Sequence, residues 1–251
     1  MVGIYDLDKC CNLDYKQRLN IYKKAGFKEI ALYIDNDYLN ANENFEDIIS
    51  YANSLDLKIN QAHVDYKISN LICDKFSNTY FEYIEDKLNV CKKHNIKYLV
   101  AHSSMGNNPP ELDNENLQKL KTLLDKFKLN NIYLCLENVR VNTNLDKALS
   151  LNHTNLKVCF DLGHAHCYGN EYDMFDKYSK HIICSHLHNN FGSDSHNILS
   201  NGEINFKHFL SKLKDIKNSS NCLECFPPFG ETLTLKQFEE FVKNCFIISN
   251  T

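Results

Sequence analysis

The sequence predicts an α/β protein, a (β/α)₈ TIM barrel built as a single domain over residues 1–251. Three observations lead there. Eight short apolar runs recur along the chain, stretches with helical periodicity separate them, and no low-complexity linker divides the whole. Strands that are apolar on both faces and joined through helices indicate a parallel sheet, because parallel neighbours need crossover connections. Eight such units in 251 residues suit a closed barrel, a fold that commonly reaches this length as one domain.

The first run, VGIYD (2–6), is followed by the amphipathic stretch YKQRLNIYKKAG, and the second, EIALYID (29–35), by FEDIISYANSLD. KINQAHV (58–64) precedes YFEYIEDKLNVCKKHN, and KYLVAHSS (97–104) precedes NENLQKLKTLLDKFKLN. IYLCLENV (132–139), KVCFDLGH (157–164), HIICSHLH (181–188) and CLECF (222–226) complete the strands, and LTLKQFEEFVKNCFI supplies a closing helix. An open, doubly wound sheet is the alternative. It has little support, because no glycine-rich phosphate fingerprint follows the first strand.

Composition narrows the function. With 43% hydrophobic and 24% charged residues, 15 Phe and 14 Tyr, the chain has ample material for a core. A net charge of −4 and only two arginines, Arg18 and Arg140, argue against a broad footprint for nucleic acid or anionic membrane. The N-terminus turns acidic too early for a signal peptide and no apolar stretch spans a bilayer, so the sequence predicts a cytoplasmic protein. Eleven scattered cysteines, several within apolar runs, read as buried reduced thiols. The one CxxC, Cys222 to Cys225, lies on a strand that points its two side chains in opposite directions, which disfavours a zinc or redox role. Nothing opposes a homo-oligomer.

The segment CSHLHNNFGSDSHNILSNGEINF (184–206) carries the most chemistry per residue, with His186, His188, Asp194 and His196 close together. Alone it reads equally well as a polar loop. The barrel changes that reading, because strand C-terminal ends and the loops after them hold the chemistry of this fold. The third strand then contributes His63, the fourth His102, the fifth Glu137, the sixth Asp161 with His164 three positions later, the seventh His186 and the eighth Glu224. Asp194 and His196 come from the loop after the seventh strand. Any one of these is more often a hydrogen-bonded structural residue than a ligand. Buried carboxylates, however, are costly unless paired or metal-bound, and imidazole with carboxylate suits Zn²⁺, Mn²⁺ or Co²⁺. A centre of one to three divalent ions is the expectation. His166 and His188 are placed outside the ligand set, His188 lining the mouth or loop base. His94, His153 and His208 carry no functional signal, and Arg140 is read as a solvated loop residue although a substrate phosphate would suit it.

The motifs AHV, AHSS, LENV, FDLGHAH, SHLHNN, DSHNILSNGEINF and LECF, in strand order over nearly the whole chain, resemble the xylose isomerase-like barrel superfamily. That superfamily includes sugar epimerases, inosose-converting enzymes and endonuclease IV. The resemblance implies that Glu137, Asp161, His186 and Glu224 form the metal site of the isomerase and epimerase members, with Glu137 and Glu224 catalytic. The endonuclease IV-like pattern adds His63, His102, His164, Asp194 and His196 as a three-zinc set.

Two enzymes and one non-enzyme follow. The first is a divalent-metal-dependent isomerase or epimerase of a sugar, sugar phosphate or related polyol, working through a metal-stabilised enediolate. The second is an endonuclease IV-like three-zinc phosphodiesterase acting on abasic DNA. Four carboxylates give −4 at the mouth, which one divalent ion reduces to −2 and three convert to +2, and the latter suits a phosphate. Against it, the loop DNDYLNANENFED and the Asp6, Asp8 and Asp14 loop, with Lys9 and Lys16, are acidic rims where a duplex needs cations. The third reading is a non-catalytic metal- or sugar-binding barrel. The first is preferred, with a small sugar as partner and no nucleic acid or membrane.

Overall fold

The structure is a computed structural model and describes residues 2–7, 10–35, 43–228 and 231–249. Eight parallel strands run β1 (Val2–Tyr5), β2 (Glu29–Tyr33), β3 (Lys58–His63), β4 (Tyr98–His102), β5 (Tyr133–Glu137), β6 (Leu156–Asp161), β7 (Ile182–Leu187) and β8 (Ser220–Leu223). They form a closed barrel in sequence order. Closure is made by β1 on β8, with Val2 opposite Asn221 and Ile4 opposite Leu223. Around it lie α1 (Tyr15–Ala25), α2 (Phe45–Ser54), α3 (Thr79–His94), α4 (Asn114–Leu129), α5 (Thr143–Leu149), α6 (Leu162–Tyr168), α7 (Glu171–Tyr178), α8 (Phe206–Lys214) and α9 (Leu235–Ser249). A 3₁₀ segment, Tyr66–Cys73, follows β3. Among the described residues no helix is long and apolar enough to cross a membrane.

Strand alternation divides the core. Outward residues such as Leu32, Leu99, Leu134, Val158 and Phe160 pack against the helices, while Tyr98, Val100, Cys135, Cys159 and Cys184 pack together inside the barrel. Cys91, Cys135, Cys159, Cys184, Cys222, Cys225 and Cys245 are buried thiols. The CxxC pair splits as alternation requires: Cys222 faces the interior beside Tyr5 and Ala31, and Cys225 joins the outer core.

Every strand ends short of its predicted run, and two of these ends shape the site. The sixth run was expected to continue to His164, but the strand stops at Asp161 and Leu162–Tyr168 is helical. Asp161 caps that helix, its carboxylate accepting from the His164 backbone N–H at 2.6 Å, and a capping aspartate has more to gain there than an extended residue has. The eighth strand begins at Ser220 and ends at Leu223, so Glu224 lies just past it, its N–H still donating to the Leu187 carbonyl at 3.1 Å. The acidic rim residues 36–42, together with Asp8 and Lys9, lie outside the described residues.

One rim contact is described. Arg18 on α1 is fully buried and donates to both oxygens of Asp6 at 2.9 Å and of Glu43 at 3.0 Å. Burial opposes its charge, yet Asp6 and Glu43 raise its pKa further. The buried guanidinium therefore ties the loops after β1 and β2 to the first helix.

Candidate metal centre

The nine predicted residues cluster at one end of the barrel: seven line one cavity, and Asp161 and His186 lie buried beside them. Glu137 stands at the centre: His186 Nδ1 lies 2.9 Å and His63 Nε2 3.2 Å from its Oε2, while His164 Nδ1 lies 3.0 Å and His102 Nε2 3.4 Å from its Oε1. On the other side of His186, Nδ1 is 3.1 Å from Glu224 Oε2 and 3.8 Å from Asp161 Oδ2. Asp194 bridges two more imidazoles, at 3.2 Å from both His164 Nε2 and His196 Nε2.

The ligand-type atoms fall into groups lying within 4.8 Å of one another: His63, His102 and Glu137; Asp161, His186 and Glu224; Glu137, Asp161 and His164; and His164, His188, Asp194 and His196. Glu137, Asp161 and His164 link these groups into one centre. His188 corrects the expectation. It was placed outside the ligand set, but its Nε2 is 3.1 Å from Asp161 Oδ1 and its ring stacks on His196 at 3.9 Å. β7 ends at Leu187, yet His188 keeps the inward side that alternation gives it. His166 pairs with Glu171 and Glu203.

Two features of the polypeptide fit divalent ions. Each of three imidazoles, His63, His196 and His186, commits one ring nitrogen away from the cluster, while His164 Nδ1 is shared between a backbone carbonyl and Glu137 Oε1. His63 Nδ1 meets the Val64 carbonyl at 2.6 Å, His196 Nδ1 the Glu224 carbonyl at 2.8 Å and His164 Nδ1 the Asn138 carbonyl at 3.1 Å. His186 Nε2 meets the Tyr5 hydroxyl at 2.9 Å and Gln61 Oε1 at 3.3 Å. Anchoring one nitrogen orients the other, which is how metal-ligating histidines are held. In addition, Glu137 Oε1, Asp161 Oδ2, His186 Nδ1 and both nitrogens of His188 are buried without a hydrogen-bond partner. Several of them lie about 3 Å from a nitrogen or carboxylate oxygen of the cluster without the geometry of a hydrogen bond, which leaves them available to an ion.

The electrostatics agree. Burial opposes ionisation of Glu137, but His102, His186 and His164 hold it well below the usual carboxylate range. Glu224 and Asp194 are likewise held low against burial, by His186 and by His164 and His196 respectively. His196 is raised to about 9 against burial, chiefly by its hydrogen bond to Asp194. His102 goes the other way, to about 4, because burial outweighs the pull of Glu137 and the neighbouring imidazoles add to it. The floor thus keeps carboxylates ionised, the form a cation binds.

Some contributors gave no separate signal in the sequence. Asn138 exchanges two hydrogen bonds of 2.8 Å with the Asp161 backbone and so sets the sixth strand end. Asn189 accepts from the N–H groups of Asn190 and Ile204 and donates to the Leu199 carbonyl, pinning the loop that carries Asp194 and His196. The NN of SHLHNN was the available clue. Four aromatic rings cover the histidines: Tyr33 over His63, Tyr66 over His102, Tyr168 over His164 and Phe226 over His196. They wall a cavity of about 770 Å³ above the floor.

Gly163 shows how closely the floor is packed. A Cβ there would lie 2.0 Å from the His188 ring. Gly163→Ala is expected to cost about 1–3 kcal/mol as overpacking, and to lower Tm by about 2–4 °C per kcal/mol while reducing metal content. Calorimetry and elemental analysis check this, and an unchanged Tm would mean that the ring moves aside freely.

A closed parallel barrel whose strand ends gather imidazoles and carboxylates around one cavity belongs to the class of α/β barrels with their chemistry at the C-terminal mouth. Within that class the chain is a member of the xylose isomerase-like TIM barrel family, whose model matches residues 19–242. Among solved structures it is similar to a D-tagatose 3-epimerase-like protein, with TM-score 0.72 and 19% identity over 99% of this chain and 98% of that one. It is also similar to an L-ribulose 3-epimerase, with TM-score 0.77 and 13% identity over 99% and 93%. A third is a probable 3-DHS dehydratase involved in petrobactin synthesis from Bacillus anthracis, with TM-score 0.73 and 15% identity over 100% and 98%. At these identities the likeness is one of fold. A stretch of 76 residues, 29% of this chain, is 37% identical to an uncharacterized protein of Methanocaldococcus jannaschii, spanning 26% of that relative's length.

Proposed function

We propose that this chain is a divalent-metal-dependent isomerase or epimerase acting on a sugar, sugar phosphate or related polyol. The observation that carries the reading is the pair Glu137 and Glu224, which come from β5 and β8, meet the same His186 nitrogen at 2.9 and 3.1 Å, and both line the cavity. A divalent ion held by Glu137, Asp161, His186 and Glu224 would supply Lewis acidity to a substrate carbonyl and its neighbouring hydroxyl, making the adjacent C–H easier to ionise. Glu137, kept ionised by its imidazoles, takes that proton. Glu224 accepts a hydrogen bond from the Tyr33 hydroxyl on one oxygen and faces His186 with the other; it would take up a proton from solvent by way of Tyr33 and pass it to the same carbon from a second direction, while Glu137 releases the abstracted proton to solvent. The epimerases among the similar structures support this reading by their fold.

A second reading, phosphodiester hydrolysis with three zinc ions, is favoured by the linked groups that Glu137, Asp161 and His164 share. Its difficulty is the cavity rim, where Arg140 is the only lysine or arginine among the described lining residues. Counterion release on a duplex needs many more.

The test is proton exchange. Candidate ketoses and sugar phosphates incubated in D₂O are expected to gain deuterium at the carbon beside the carbonyl, read by NMR, while abasic duplex DNA stays uncut at physiological salt. Efficient incision of that DNA, lost in His63→Ala or His102→Ala, would establish the phosphodiesterase instead.

A further inference from the structure

We propose that Arg140 is the anion-recognising arm of the cavity and holds the phosphate of a phosphorylated substrate while the carbon skeleton lies over Glu137 and Glu224. This deepens the proposed function by naming the substrate class, and rests on the cavity being the substrate site.

Arg140 follows Glu137 by three residues, in a loop with little freedom. The Val139 N–H donates to Asn142 Oδ1 and Asn142 Nδ2 donates back to the Val139 carbonyl, both at 2.9 Å. Ser104 Oγ donates to the Val141 carbonyl at 2.7 Å, tying the same loop to the end of β4. The backbone on both sides of Arg140 is therefore fixed, although its side chain is exposed.

The guanidinium is fixed as well. Its carbon lies 4.6 Å from the Tyr168 ring centroid, and the Tyr168 ring lies on His164 at 5.8 Å and 31°. The cation thus stands on the same stack as an imidazole of the floor. The ring contact and a hydrogen bond to the Tyr168 hydroxyl engage one face and one donor of the guanidinium and leave its remaining N–H groups for a ligand. Arg18, the only other arginine, is occupied by Asp6 and Glu43. Arg140 makes no ion pair with a carboxylate among the described residues.

Charge decides what such an arm is for. The other ionisable walls are Asp6, Glu137, Asp194, Glu224 and Glu231, which repel an anion, and the histidines of the floor. An uncharged sugar gains little from a lone, pre-positioned guanidinium at this mouth. A phosphate monoester presents several oxygens and up to two charges to the planar fork, a better match than a carboxylate in both respects.

The probe is inorganic phosphate, titrated calorimetrically into metal-loaded wild type, Arg140→Ala and Arg140→Lys, with acetate as the carboxylate arm. Arg140→Ala is expected to weaken phosphate binding about tenfold or more, with metal content and Tm unchanged, and Arg140→Lys to recover part of it. Wild type is expected to bind acetate more weakly than phosphate. Phosphate affinity that is the same in Arg140→Ala would show that the floor alone holds the anion and would overturn the proposal. Acetate bound as tightly as phosphate, with the same dependence on Arg140, would overturn the choice of phosphate. Because no turnover is measured, these outcomes are separate from proton exchange: failed exchange with Arg140-dependent phosphate binding would sink the isomerase reading alone.

Discussion

Glu137→Gln is expected to lower turnover by about 10³-fold or more and to strip much of the metal while the barrel stays folded. The side chain touches four imidazoles, from β3, β4, β7 and the helix after β6, and belongs to more ligand groups than any other residue. An amide of the same shape removes the negative charge and turns an N–H₂ toward nitrogens that themselves seek a cation or an acceptor. Packing volume is kept, so far-UV circular dichroism should not change. Glu224→Gln is expected to lose comparable turnover with less metal, since Glu224 shares a ligand group only with Asp161 and His186. Elemental analysis alongside steady-state rates checks both, and wild-type activity in either variant would mean that the proton-transfer residues lie elsewhere.

Metal removal is the second large effect. Chelation leaves Glu137, Asp161 and Glu224 buried around a single shared imidazole, His186. An ion present at about a thousand times its Kd adds about 4 kcal/mol to the folded state. At about 2–4 °C per kcal/mol for a chain of this size, Tm is expected to fall by roughly 10 °C and to recover on adding back Zn²⁺, Mn²⁺ or Co²⁺. The count of ions per chain that restores it separates the chemistries: about one fits the isomerase, about three the phosphodiesterase. A Tm indifferent to chelator would argue that the polypeptide balances these charges without ions.

The barrel was legible because apolar runs mark its strands, and His63, His102, Glu137, Asp161, His186 and Glu224 were read from the ends of those runs, with His164, Asp194 and His196 following in the helix or loop beyond. Less could be read where the chain leaves a strand. Asp161 to His164 reads as continued strand by composition, and only the short reach of an aspartate to an N–H three residues on turns it into a helix start. His188 lies beyond the last residue of β7, and alternation gave its inward side but not its reach to Asp161 on the neighbouring strand. Asn138, Asn189 and Asn190 were unreadable for another reason. Asparagine is common in turns, and its value here lies in hydrogen bonds between segments distant in sequence, such as Asn190 to the Gly163 carbonyl. The Arg18 pairing with Asp6 and Glu43 is hidden in the same way.

Beneath the floor, Cys135, Cys159, Cys184 and Cys222 fill the barrel interior with no exposed area. Burial raises the pKa of Cys159, Cys184 and Cys222, so these thiols stay neutral and form a weakly polar lining. Such a lining screens poorly. Water and mobile ions can reach the carboxylates only from the mouth, so the potential of the floor emerges in one direction, like light from a lamp with a closed back. Divalent cations are drawn in along that axis, and once they neutralise the floor an anion can follow the same axis to Arg140.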